Sequence, residues 1–160
     1  MKLRAARPDD VPTILGLIRL LAAFERELDA VETTAERLHD ALFGATPEAE
    51  ALIVECDGVP AAFAIWYQTF STWTGRPGLY VEDVFVLPRY RRRGIGRAIF
   101  SYLANLSVSR GYGRMEWSVL DWNEPAIGFY QGLGAAPQAE WHKYRLTGAA
   151  LAACATETKF

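Results

Sequence analysis

Cysteine, histidine and long apolar runs are all scarce in this sequence. The two cysteines, Cys56 and Cys154, lie far apart among apolar neighbours, which predicts reduced thiols in the protein core and no disulfide framework. The two histidines, His39 and His142, have no ligand-like companion at short spacing, so we expect no bound metal. No stretch approaches the ~20 apolar residues that a membrane span requires, and the N-terminus begins with strand-like sequence instead of a signal peptide. We therefore expect a cytoplasmic protein with no membrane partner.

The composition is that of a single globular domain, which we expect to span residues 1–160. Of these residues 51% are hydrophobic and 22% charged. The net charge of −2 conceals an asymmetry: residues 1–60 hold 12 acidic and 6 basic residues (−6), whereas residues 61–160 hold 7 acidic and 11 basic (+4). The basic residues are densest in one stretch of nine positions, at Arg89, Arg91, Arg92, Arg93 and Arg97. This stretch predicts a local anion site, whereas a sequence pI near 5.7 disfavours the broad basic surface of a nucleic-acid-binding protein.

Hydrophobic periodicity predicts the element order β-α-α-β-β-β-α-β-α-β. The predicted strands are residues 2–6, 51–56, 60–69, 79–87, 115–120 and 140–146, with a hairpin turn at Asp57-Gly58. The first helix ends near Phe24, the second begins with a capping box of Thr33 and Glu36, the third opens at Gly94, and the fourth is capped by Asn123. This order predicts a mixed α/β (α+β) domain, antiparallel in its first half, with a crossover helix in its second.

The arginine-rich stretch lies directly between a predicted strand and a predicted helix. At a helix start the free N–H groups and the helix dipole attract anions, and glycines let phosphate oxygens approach the backbone, so Gly94 and Gly96 suit a diphosphate. The Rossmann pattern is absent because Ile99 stands where the third glycine would be, and no Gly-Lys-Ser/Thr follows to make a Walker A loop, which disfavours a dinucleotide or a nucleoside triphosphate as the ligand.

The same stretch resembles a family signature. Arg91, Gly94 and Gly96 match the Arg/Gln-x-x-Gly-x-Gly/Ala motif of the GNAT superfamily of acetyl-coenzyme A dependent N-acetyltransferases, and the resemblance extends through residues 79–86 before the loop and 120–130 after it. These blocks look like the branch that contains spermidine/spermine (diamine) acetyltransferase and its thialysine-acetylating relative, and residues 70–76 lean towards the latter.

The resemblance implies a mostly antiparallel central sheet with helices on both faces and a splayed cleft for acetyl-CoA. The pantetheine arm would lie against the backbone of the strand that precedes the loop, the loop would hold the diphosphate, and the next helix start would add contacts. The implied cofactor residues are Val84, Phe85, Val86, Arg91, Arg92, Arg93, Gly94, Ile95, Gly96, Arg97, Asn123, Glu124, Pro125 and Ala126.

Acetylation of an amine requires removal of a proton, because an ammonium with a pKa near 10.4 leaves under about a thousandth of the amine free at neutral pH. Glu82 suits this task as the base; strand alternation predicts that it faces away from Asp83. By resemblance Tyr130 would protonate the leaving thiolate, and a backbone N–H of Phe85 or Val86 would polarise the thioester oxygen. No covalent enzyme intermediate is needed.

The acidic N-terminal part predicts a cationic substrate. Glu25, Glu27, Asp29 and Glu32 follow the first helix. The resemblance implies substrate contacts from Phe24, Glu25, Glu82, Glu116, Trp117, Ser118 and Glu140, and it also implies a homodimer to which residues 147–160 contribute.

Several functions remain open at this point. A polyamine would need acids at both ends, whereas a lysine-like substrate would need a cation, for which Arg76 and His142 are candidates. A protein or peptide N-acetyltransferase and a non-catalytic coenzyme A-binding module are the alternatives.

Overall fold

The computed structural model describes residues 1–156, so the last four residues of the predicted dimerisation segment 147–160 lie outside it. The described residues form five strands, β1 (Lys2–Ala5), β2 (Glu50–Cys56), β3 (Val59–Ser71), β4 (Arg76–Val86) and β5 (Met115–Trp117). They also form five α-helices, α1 (Val11–Glu25), α2 (Ala35–Phe43), α3 (Ile95–Ser109), α4 (Glu124–Gln131) and α5 (Gly148–Thr156).

The five strands form one sheet in the order β1-β2-β3-β4-β5. The first four strands pair antiparallel, and β4 pairs parallel with β5 through the crossover helix α3. Asp57 and Gly58 join β2 to β3 with φ angles of 54° and 76°, which is the turn that an Asp-Gly pair favours. The predicted mixed, mostly antiparallel architecture is confirmed.

Each face of the sheet buries its own apolar cluster. On one face α1 and α2 contribute Ile14, Leu38 and other apolar residues that pack on Ile53, Phe63 and Phe85; we call this the α1 face. On the other face α3 contributes Ile95, Ile99 and Leu103, which pack on residues that include Leu52, Leu79 and Val81; we call this the α3 face. Helices on both faces therefore hold the sheet between them, as predicted.

Three local predictions differ from the structure. Helix α2 is capped by Thr34 and not by Thr33, because it is the Thr34 hydroxyl that accepts the Arg37 N–H at 3.3 Å. Helix α4 starts after Asn123, but the Asn123 side chain makes no capping bond. Of the two predicted core thiols, Cys56 is buried, whereas Cys154 is exposed on α5.

The C-terminal part departs further from the prediction. Strand β5 stops at Trp117 instead of continuing to residue 120, and the described residues 140–146 form no strand. Helix α5 follows, in a segment to which the sequence pattern assigned no helix or strand. Contacts within the chain group it into two units that meet between Ser118 and Val119, and each is described by itself below.

Candidate active site

The sheet leaves an open strand edge along the second half of β4. Strand β5 ends opposite Val81, whereas β4 continues for five more residues to Val86. Leu87 donates its N–H to Ala61 of β3 at 3.0 Å, so ladder alternation turns the backbone groups of Phe85 towards β3 and those of Val84 and Val86 towards the open edge. The backbone of Val84 and the N–H of Val86 are therefore available to an added extended ligand, whereas the Val86 carbonyl already accepts the Arg91 Nε–H at 3.0 Å and the Phe85 N–H faces β3.

The loop between β4 and α3 presents backbone N–H groups. Arg92 and Gly94 take the left-handed conformation, with φ of 59° and 79°, and alternation of such residues with ordinary ones forms an anion-binding concavity. Gly94 is the N-cap of α3 and offers no side-chain cap, and the first helical bond runs from Ala98 N–H to the Gly94 carbonyl at 3.0 Å. The N–H groups of residues 95–97 are thus the uncapped donors of the first turn, where a diphosphate would bind.

The arginines of this loop divide into two groups. Arg89 and Arg93 place their guanidinium carbons 5.1 and 5.5 Å from the centre of the Tyr90 ring. Arg91 instead lies over Phe24 of α1 at 4.8 Å and over Phe85 at 5.6 Å, on the α1 face. The Arg91 side chain therefore contacts the α1 face, and its place in the predicted cofactor set stays a prediction.

A β-bulge interrupts β4 at Glu82. Asp83 pairs with Ile65 and Val81 pairs with Trp66, which leaves Glu82 as the extra residue without a partner on β3. Because of the bulge, Asp83 lies on the α1 face with its partner Ile65. The negative charge of Glu82 raises the pKa of Asp83 there. The prediction that Glu82 and Asp83 face opposite sides is therefore wrong, because simple alternation does not survive an inserted residue.

The charges of two carboxylates act on a third beside this bulge. Burial raises the pKa of Asp83 to about 6, and the negative charges of Glu82 and Glu25 add to the shift. Burial also raises the pKa of Glu25 at the end of α1. The pKa of Tyr67, on the neighbouring strand, is raised by burial and then by the Glu82 charge. A cationic amine is the ligand that would relieve this concentration of negative charge.

Sequence reasoning named Glu25 and Glu82 but missed Asp83 as a site residue. The sequence did contain one signal. The apolar residues that pack on the α3 face are Leu79 and Val81 before the two adjacent acidic residues of β4, but Val84 and Val86 after them. This change from odd to even positions indicates a bulge between them.

The other predicted substrate residues do not all reach this acidic cluster. Phe24 does lie near it, with its ring 6.4 Å from that of Phe85. Glu116 is paired with Arg114 at 2.8 Å, and the Ser118 hydroxyl lies 2.7 Å from the Tyr80 hydroxyl. Trp117 lies elsewhere, since it packs on the α3-face cluster. The structure thus brings together Phe24, Glu25 and Glu82, adds Asp83, and leaves Trp117 on the opposite face.

The remaining predicted residues belong to the second unit. Asn123 precedes α4, Glu124, Pro125 and Ala126 form its first turn, and the half-buried Tyr130 ring lies 5.4 Å from that of Phe129. Glu140 is exposed and in no strand, and so is His142.

The second candidate cation, Arg76, lies in the first unit. It begins β4 six residues before Glu82, which is roughly 20 Å along a strand. That separation is longer than an extended lysine-sized substrate.

A different concavity, of about 200 Å³, lies where β2 begins and includes Glu50 and Arg110 in its lining. Arg110 donates to both carboxylate oxygens of Glu50, at 2.8 Å from Nη2, and lowers the pKa of that carboxyl. Its charges are thus already paired. Among residues 1–156, no group of three or more histidine, cysteine or acidic side chains could hold a metal ion, and no helix is long and apolar enough to cross a membrane.

Comparison with known proteins places this architecture in a family. Residues 16–135 match the family described as "Acetyltransferase (GNAT) family". The chain is 36% identical over 160 residues to the thialysine N-epsilon-acetyltransferase of Bos taurus, covering 93% of this chain and 94% of that protein. It is 31% identical over 197 residues to an L-ornithine N5-acetyltransferase of Arabidopsis thaliana, covering 95% of this chain and 86% of that protein.

A solved structure with the same fold is that of an integron cassette protein from V. cholerae, with a TM-score of 0.80, 20% identity and 97% of both chains covered. The mixed sheet, the glycine and arginine loop at the start of α3, and the match over most of the chain all support membership of this family. The chain belongs to the GNAT family and is an N-acetyltransferase.

Proposed function

We propose that this protein transfers the acetyl group of acetyl-CoA to the primary amine of a small, lysine-like substrate. The observation that carries the proposal is the placement of Glu25, Glu82 and Asp83 beside the open edge of β4, while the arginine loop follows the same strand. The cationic acceptor would then bind at the three carboxylates, and the anionic donor would bind at the arginine loop. Both would lie along the second half of β4.

The donor site is supported by backbone groups that suit acetyl-CoA. Val84 offers its N–H and C=O groups, and Val86 its N–H, to the amides of a pantetheine arm, and the uncapped first turn of α3 offers N–H groups to a diphosphate. Arg92, Arg93 and Arg97 add positive charge at the loop. We further propose that Asn123, Glu124, Pro125 and Ala126 contact the donor, as the family resemblance implies.

The acceptor site would draw in an ammonium and then remove its proton. Glu82 takes the proton directly or through one water, and the free amine attacks the thioester carbonyl in a ternary complex. Of the two donors considered for the developing oxyanion, we propose the Val86 N–H, because ladder alternation directs the Phe85 N–H to β3. Tyr130 then gives its phenolic proton to the departing thiolate.

The choice of substrate is supported by the relatives. Two similar proteins are named for acetylation of thialysine and of ornithine, which are amino acids with a terminal primary amine. Diamines and polyamines remain the next candidates, because Glu25, Glu82 and Asp83 would also suit a second cation. Glu116 is the weakest of the proposed substrate acids, since Arg114 already pairs with it. Roles for Trp117, Ser118 and Glu140 stay predictions.

The decisive experiment measures coenzyme A release by the purified protein with acetyl-CoA and a panel of thialysine, ornithine, lysine, spermidine and a lysine peptide. We expect turnover of the free amino acids, and we expect Glu82→Gln to lower kcat at neutral pH by about 10²–10⁴-fold, as loss of a general base does. Tyr130→Phe should lower kcat with little change in the KM for either substrate.

Glu48→Gln is the matched control, because Glu48 is an exposed carboxylate whose loss should leave kcat unchanged. Turnover confined to the peptide would instead indicate a protein acetyltransferase. Binding of acetyl-CoA without release of coenzyme A for any amine would indicate a binding module.

We also propose that the protein is a homodimer. The proposal is supported by residues 136–156, every one of which is exposed, including Trp141 at 68% and Tyr144 at 92%. Monomeric proteins rarely leave a segment with such large apolar side chains uncovered. The expected cytoplasmic location and the expected lack of nucleic-acid and membrane partners stay predictions.

A further inference from the structure

Arg91 makes contacts that differ from those of every other arginine described in the loop. Its Nε donates to the Val86 carbonyl at 3.0 Å. Its guanidinium carbon lies 4.8 Å from the centre of the Phe24 ring and 5.6 Å from that of Phe85. One side chain therefore contacts the end of α1, the buried face of β4 and the open edge of β4.

These contacts place the positive charge of Arg91 on the acceptor side of the sheet. Phe85 belongs to the α1-face cluster, whereas α3 packs on the opposite face. Phe24 directly precedes Glu25, the last residue of α1 and one of the two carboxylates whose charge raises the pKa of Asp83. The loop that would hold the donor thus contacts, through Arg91, the end of α1 beside the proposed acceptor site.

A guanidinium suits this position for three reasons. Its planar face stacks on an aromatic ring, its charge is attracted to the ring quadrupole, and its Nε–H remains free to donate in the plane. A lysine would retain the charge but not the in-plane donor, and a methionine would retain only apolar contact. Phe24, which is 37% exposed, depends on such a contact more than the buried Phe85 does.

We propose that Arg91 is a positioning residue for the amine acceptor: it holds the last turn of α1, and Glu25 with it, against β4. This inference rests on the proposed function for its kinetic consequence. It adds a role on the acceptor side to the cofactor-binding role that the family resemblance implies for Arg91.

The kinetic test compares Arg91→Met with Arg92→Ala in the full-length protein. For Arg91→Met we expect the KM for the amine to rise about tenfold, as loss of a few weak contacts would produce, while the dissociation constant of acetyl-CoA measured by calorimetry changes less than twofold. Arg92→Ala should show the reverse pattern. Arg91→Lys should give an intermediate KM for the amine, because it restores the charge over the two rings.

A double-mutant cycle tests the contact itself. Phe24→Leu should raise the KM for the amine. In the double variant with Arg91→Met, the KM should rise by less than the product of the two separate fold-changes, because both substitutions remove the same contact. Independent effects that multiply would overturn the proposal. So would a rise in the acetyl-CoA dissociation constant that equals or exceeds the rise in the amine KM.

Hydrogen exchange provides a readout that does not depend on turnover. Amides of residues 22–25 should exchange faster in Arg91→Met than in the unaltered protein and should be unchanged in Arg92→Ala. Unchanged exchange in Arg91→Met would overturn the proposal whether or not the protein is active. If the unaltered protein acetylates none of the amines, the proposed function fails, but faster exchange at residues 22–25 would still support the positioning role.

Discussion

At the scale of single residues, the inserted Glu82 decides the chemistry of the acceptor side. A regular strand would carry Glu82 and Asp83 on opposite faces. The bulge turns Asp83 onto the α1 face near Glu25, where burial makes its charge costly. A pattern of apolar residues can indicate a bulge, but the pKa of about 6 also depends on packing by α1, which lies about 60 residues away in sequence.

The raised pKa of Asp83 predicts a pH-dependent effect of Asp83→Asn on stability. Well below pH 3.8 the Asp83 carboxyl is neutral in both the folded protein and the unfolded chain. Between pH 3.8 and about pH 6 it is protonated to a greater extent in the folded protein than in the unfolded chain. The unaltered protein therefore loses stability in this window as pH rises. We expect the gain in unfolding free energy from Asp83→Asn to grow by about 1 kcal/mol between pH 5 and pH 8, measured by urea unfolding.

The same substitution should reduce acceptor binding. Above pH 6 the Asp83 charge attracts the ammonium, so Asp83→Asn should raise the KM for the amine at pH 8 more than at pH 5. Asp121→Asn serves as the control, because Asp121 is exposed in a turn of the second unit. A stability gain from Asp83→Asn that is equal at both pH values would contradict the raised pKa.

At the scale of elements, the loop from β4 into α3 is the part that the sequence predicted best. Its function depends on local properties, namely two glycines, a strand before them and a helix after them, all of which are contiguous in sequence. The left-handed φ of Gly94 follows from the absence of a Cβ. The direction of Arg91 was not predictable, because its partners come from α1 and from the far face of β4.

Gly94→Ala should damage the donor site specifically. No atom would lie within 4 Å of the added Cβ, so the cost arises from the φ of 79° alone, about 1–2 kcal/mol for an alanine in this conformation. We expect the loop to shift and the dissociation constant of acetyl-CoA to rise about tenfold by calorimetry, as the loss of one to two hydrogen bonds would produce.

Gly16→Ala is the matched control for Gly94→Ala. Gly16 also leaves the added Cβ in open space, but it lies inside α1 with ordinary helical φ. Alanine there should raise stability by about 0.5–1 kcal/mol and leave acetyl-CoA binding unchanged. If both substitutions affect acetyl-CoA binding equally, the conformation of Gly94 is not what prepares the loop.

At the scale of the whole molecule, the C-terminal part contradicts the sequence pattern most. Residues 140–146 have strand-like composition but form no strand, and α5 has no buried residue. A nine-residue helix is marginal in water without packing. We expect this part to pack against the partner in the proposed homodimer.

The proposed homodimer predicts a molar mass of about twice 17.8 kDa by light scattering at micromolar concentration. Trp141→Glu combined with Leu151→Glu should shift the protein towards the monomer, because both side chains are exposed in the single chain and a charge on each would oppose burial. Val108→Glu is the control, since Val108 is 79% exposed on α3 and has no part in the proposed interface. A monomer for the unaltered chain would contradict the proposed dimer.

The sequence by itself determined the parts of this protein that depend on near neighbours. Periodicity, turn residues and the glycine loop were sufficient for the order of the elements up to β5, the mixed sheet and the start of α3 at Gly94. Tertiary structure alone decided where the pairing of β4 with β5 ends, that the charge of Glu25 acts on Asp83 beside a bulge, and that Arg91 lies over Phe24. Each of these depends on contacts between segments distant in sequence, whose energies no local pattern contains.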